Sequence, residues 1–147
     1  MRTLAELEAA IDVAATDDDA EASAAALLAI GEEVLEHWVV ARGYQPTAES
    51  REGFRLLALH RQGTKEDPSF NACRETCREL AYYFNLITMQ PEHTETTNRV
   101  ALMKMISSHL YLFISGKMQV AELGEFCCSS RPIRQAADPD NTMTKEA

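Results

Sequence analysis

The chain has 147 residues, of which 46% are apolar and 25% charged, and a formal net charge of −9. That length accommodates one domain around one core, and the composition is that of a folded protein rather than a disordered one. No apolar run reaches the roughly 18 residues of a membrane span, because the longest, 100–116, is interrupted by Lys104, Ser107, Ser108 and His109.

The first twelve residues, MRTLAELEAAID, are acidic and helical and lack the basic and apolar regions of a secretory leader. A cytoplasmic location is therefore expected, with the four cysteines kept reduced. Charge is unevenly spread: residues 1–40 carry ten carboxylates against Arg2 alone, whereas the remainder carries thirteen charges of each sign. An acidic N-terminal third repels phosphates, so neither nucleic acid nor a membrane surface is an expected partner.

In chain order, Thr3 and Glu6 fit a capping box, and Leu4, Leu7, Ile11 and Ala14 continue as the apolar stripe of a short first helix. A second helix is expected after Thr16 as cap, with Asp17, Asp18 and Asp19 at its positive end. It presents Leu27, Leu28, Ile30, Val34, Leu35 and Trp38 on one face and stops at Gly43. Pro46 and Thr47 are expected to open a third helix carrying Phe54, Leu56, Leu57 and Leu59, with a break at RQGTKED. Asp67 as cap and Pro68 at the first helical position launch a fourth helix, which Pro91 ends. The fifth, about 94–115, is apolar around most of its circumference, which predicts a central or interfacial position, and Gly116 is its expected stop.

A final short helix over 118–127 leads into a tail, 131–147, without apolar period, expected to be mobile. No segment alternates like a strand. The sequence thus predicts an all-α, single-domain antiparallel helical bundle of five or six helices over residues 1–130.

The stretch FNACRETCREL carries the most distinctive chemistry. Phe70, Cys73, Cys77, Leu80, Phe84 and Ile87 keep helical 3–4 spacing, so both thiols fall on the apolar stripe. Their separation, about 6 Å along a helix, lies near the upper limit for an unstrained disulfide within regular helix. The plainest reading is packing, since free cysteine behaves as a small apolar side chain. As an alternative, a helix hairpin turning near Pro91 brings His109 toward the thiols, and His60 precedes them by about one turn. Cys73, Cys77, His60 and His109 would then suit tetrahedral zinc or iron. On the packing reading His109, set among Met105, Ile106, Leu110 and Phe113, is a core histidine. Cys127 and Cys128 are adjacent, so at most one points inward and the other is a candidate exposed redox thiol.

Half of the basic residues lie between Arg42 and Arg78. Arg51 with Arg55, and Arg74 with Arg78, are each one turn apart and could clamp a phosphate or carboxylate through guanidinium forks. Glutamates at pairing distance (Glu52, Glu75, Glu79) supply the ordinary alternative of a solvated, paired face. Phosphate loops, zinc-protease motifs and nucleophile elbows are absent from the sequence. The leading expectation is a non-enzymatic bundle acting through self-association, as a homodimer, or by holding a protein partner, with no cofactor. A thiol or metal sensor centred on Cys73 and Cys77, and an anion-binding regulator built on the arginines, are the alternatives.

Overall fold

A computed structural model describes residues 1–121. They form five α-helices and one 3-10 helix: α1 (Leu4–Ala14), α2 (Ala20–Ala41), α3 (Arg55–Glu66), the 3-10 helix η1 (Pro68–Cys73), α4 (Arg74–Met89) and α5 (Thr96–Val120). The protein is an all-α helical bundle, as its periodicity predicts. The expected tail, and most of the expected helix over 118–127, lie outside the described residues. No helix among the described residues is long and apolar enough to cross a membrane.

The capping box of α1 is complete: Glu6 N–H donates to Thr3 Oγ1 at 3.1 Å and Thr3 N–H to Glu6 Oε1 at 2.8 Å. The cap of α2 is Asp19 rather than Thr16; its Oδ1 accepts from the backbone of Glu21 and Ala22. Thr16 instead donates to the carbonyl of Val13 and closes α1. Gly43, with φ +87°, terminates α2 in the left-handed conformation that glycine accepts without steric cost.

Three further expectations are corrected. The third helix starts at Arg55, because residues 45–47 are drawn onto α3 by Gln62, whose amide donates to Gln45 O and accepts from Thr47 N. RQGTKED is not a break: α3 runs through it, and Gly63 is there to let the Phe70 ring approach the helix closely. Gly116 does not stop α5, which continues to Val120.

Antiparallel packing is visible in the ties between elements. Arg2 at the start of α1 pairs with Glu33 of α2, and Lys117 near the end of α5 reaches Asp67 and Ser69 beside α4. The helix that touches every other α-helix is α2, not α5. Trp38, stacked on Phe70 at 5.4 Å, anchors its C-terminal half. On α5 the buried stripe is Val100, Met103, Ser107, Leu110, Ile114 and Met118, leaving Met105 and Leu112 more than half exposed. Ser107 has no hydrogen-bond partner for its hydroxyl among the described residues.

Candidate functional site

A two-residue turn precedes α3. Glu52 and Gly53 both have positive φ, 53° and 85°, and Arg51 and Phe54 exchange two backbone hydrogen bonds of 2.9 Å across them. A non-glycine residue in that conformation is strained; here Arg78 of α4 grips the Glu52 carboxylate with two bonds of 2.9 and 3.1 Å. That grip, foremost, holds the Glu52 carboxyl below the usual carboxylate range. The turn thereby points Arg51 across the mouth between α3 and α4.

Leu56, Leu57 and Leu59 are buried, which orients the polar face of α3, with His60, Arg61 and Thr64, toward η1 and α4. Asn71, Arg74 and Arg78 face it at 3–4 spacing. Together with Arg51, Glu52 and Leu57 these residues line a cleft of about 170 Å³. It holds four guanidiniums against one carboxylate, in a chain whose net charge is −9. Glu52 is engaged by Arg78, and Arg74 meets Glu75 only at 3.7 Å with both side chains largely exposed. Arg51 and Arg61 have no carboxylate partner among the described residues. Exposed guanidiniums converging without neutralisation are suited to phosphate or carboxylate oxygens, which they bind in bidentate fashion.

Behind the His60 wall lies the thiol cluster. Cys73 and Cys77 are buried, at 1% and 0% exposure, and reduced. The Phe70 carbonyl joins His60 to Cys73: His60 Nε2 donates to it at 3.2 Å and the Cys73 thiol at 3.3 Å. The hydrogen bond from Cys77, then the His60 ring, lower the Cys73 thiol to about 6 despite its burial. The same bond, together with burial, pushes Cys77 well above the ordinary thiol range. Cys73 therefore carries the thiolate character and Cys77 supplies the proton donor.

His60, Cys73 and Cys77 come together as the spacing suggested, but His109 does not join them. It is exposed on α5, because the buried stripe through Ser107 and Leu110 turns the intervening position outward. The four-ligand set is not assembled, and His109 is not a core histidine either. Among the described residues no group of three His, Cys, Asp or Glu side chains is placed to hold a metal ion. Cys127 and Cys128 lie outside the described residues.

The arginine set is changed by one member. Arg55 leaves it: as the first residue of α3 it pairs with Glu36 and Glu32 of α2 and donates to Thr47 O. The tight turn at 52–53 breaks the helix that would have aligned it with Arg51. Arg61 takes its place, with Thr64 and Asn71. Their signal was present in the 57, 61, 64 and 71, 74, 78 spacings, but spacing on two helices does not say which faces meet. No family model matches this chain, and no curated protein or solved structure matches it either.

Proposed function

We propose that this protein is an anion-binding module whose cleft between α3, η1 and α4 holds a phosphate or carboxylate group, and that it works by binding rather than by catalysis. The convergence of Arg51, Arg61, Arg74 and Arg78 around a single carboxylate supports this reading. The cleft volume falls below the roughly 300 Å³ at which pockets for drug-sized ligands begin, so a small anion or the anionic head of a larger molecule fits better than a nucleotide. Thr64 and Asn71 add neutral donors that suit oxygen acceptors.

Calorimetry with inorganic phosphate, sulfate and a small dicarboxylate at low ionic strength tests it. Binding is expected to weaken with added salt and to fall at least about tenfold in Arg61→Gln/Arg74→Gln, a loss of about 1.4 kcal/mol, with the melting temperature of the free protein preserved. Absence of heat for all three anions at millimolar concentration would sink the proposal.

A second reading concerns assembly. Ala101, Met105 and Leu112 form an outward stripe along α5 that ends at Gly116, and Met105 and Leu112 are 57% and 60% exposed. We infer that a second copy of the chain covers this stripe in a homodimer, as apolar helix faces of this kind are commonly covered.

A further inference from the structure

Within a continuous α-helix, two cysteines four residues apart make a poor disulfide. Cys73 is not inside such a helix. It ends η1 and is the N-cap of α4, with φ −99° and ψ 11°, outside the α-helical well. Rotation about its own backbone bonds can draw its Cβ toward Cys77 without breaking an α-helical ladder. The distance to be closed, about 6 Å for helical spacing, falls within the 4.4–6.8 Å range that disulfides span between Cα atoms. The geometric objection that applies to an interior pair is therefore removed here.

Position also divides the two thiols by role. Cys73 stands at the positive end of the sixteen-residue α4, followed by Arg74 and Arg78 and backed by the His60 ring; such surroundings favour a thiolate. Cys77 sits one turn inward, buried, and hydrogen-bonded to Cys73. A nucleophilic thiol at a helix start with a protonated thiol behind it is the arrangement of an attacking and a resolving cysteine. We propose that Cys73 is a peroxide-reactive thiol and that Cys77 resolves it, the pair closing reversibly into a disulfide across the first turn of α4.

The chemistry balances with a hydroperoxide as the oxidant. The Cys73 sulfur attacks one peroxide oxygen; an S–O bond forms, the O–O bond breaks, and the departing hydroxide takes up the thiol proton as water. Cys77 then attacks the Cys73 sulfenic acid; the S–S bond forms, the S–O bond breaks, and a second water leaves with the Cys77 proton. Two thiols are oxidised by two electrons, and hydrogen peroxide is reduced to two waters. The route inward runs from the basic cleft past His60 and η1. Only a 3-10 turn, weaker in its hydrogen bonds than an α-helix, covers the thiols there, and a small oxidant passes where a bulky thiol reagent does not.

The test uses the reduced, full-length protein with stoichiometric hydrogen peroxide, followed by alkylation in denaturant and peptide mapping by mass spectrometry. The expected product is a Cys73–Cys77 cross-link that dithiothreitol reverses. In Cys77→Ala the expected product is a Cys73 sulfenic acid, captured by dimedone, with no cross-link at that position. The rate in the folded wild type should follow a group titrating near 6, whereas in urea it should follow an ordinary thiol at about 8.5. Full alkylation of Cys73 and Cys77 after peroxide would overturn the proposal, and so would oxidation confined to Cys127 and Cys128. Progressive over-oxidation of Cys73 in wild type would remove the resolving role of Cys77 and overturn it equally. Phosphate binding plays no part in these readouts.

Discussion

A Cβ added at Gly63 would lie 2.6 Å from Cε2 of Phe70 and 2.9 Å from its Cδ2, nearer than atoms in contact can come. The ring cannot retreat, because it is stacked on Trp38 at 5.4 Å and on His60 at 5.5 Å, with Phe113 edge-on at 6.0 Å. Gly63→Ala is therefore expected to destabilise the protein by about 1–3 kcal/mol, the usual cost of forcing volume into a packed core. A Cβ at Gly116 meets nothing within 4 Å, and the residue lies within α5. Gly116→Ala is expected to stabilise by about 0.5–1 kcal/mol, through helix propensity alone. Urea denaturation of the two variants checks both signs at once, and effects of the same sign would show that the Phe70 contact does not decide the cost. In sequence the two glycines carry the same meaning, punctuation. Only the neighbour across the fold separates a glycine required for close approach from one that is merely tolerated.

At the scale of the elements, η1 is the joint on which the cleft and the thiol cluster both depend. Asp67 starts it: its Oδ1 accepts from Ser69 N at 3.1 Å, and its other carboxylate oxygen meets Lys117 of α5 at 2.8 Å. Partial burial alone would raise the Asp67 carboxyl, but the bonds from Lys117 and Ser69 outweigh it and hold the group below its ordinary value of 3.8. A carboxyl whose folded value is depressed contributes stability that is fully present above the unfolded value and is lost as pH falls through the folded one. Asn caps helices about as well as Asp, so Asp67→Asn isolates the charge. It is expected to lower stability at neutral pH by up to about 1 kcal/mol, with the gap to wild type closing once the pH falls below 3.8. Thermal melts at neutral and acidic pH measure this; a gap that persists undiminished in acid would show that Lys117 is not the partner that matters.

For the whole molecule, the central question is which helix the others surround. α2 holds that position, touching all four other α-helices, with Leu27, Ile30, Val34, Leu35 and Trp38 buried. α5 lies against α1, α2 and α4 on one side and leaves its Met105–Leu112 stripe outward. If a second copy covers that stripe, light scattering at micromolar concentration returns twice the chain mass of 16.4 kDa. Leu112→Asp is then expected to return the single-chain mass while keeping the helical circular dichroism signal, because the side chain contributes to no core in the isolated chain. A wild-type mass of one chain would end the dimer reading, and a dimer unaffected by Leu112→Asp would place the interface on another face.

The all-α class, the α1 capping box, the Gly43 stop and the buried stripe from Phe70 through Ile87 are all legible in the sequence, because each rests on residues within one or two helical turns of each other. Local hydrogen bonding and helical period decide these features, and both are written into adjacent residues. The placement of Cys73 at a helix start, rather than within a helix, was half-legible: Asp67 and Pro68 marked a beginning, but nothing local said that the first six residues would wind as 3-10. The cleft was less legible still. Arg55 and Arg61 look alike in sequence, and their separation into a structural tie and a cleft residue depends on Glu36 lying across from one and Arg74 across from the other. Such partners come from segments many residues apart, brought together when burial of Leu56, Leu59, Phe70 and Leu80 sets the rotation of α3 against α4. Helix faces are inherited from the sequence; which faces meet is decided by the packing of side chains in the shared core.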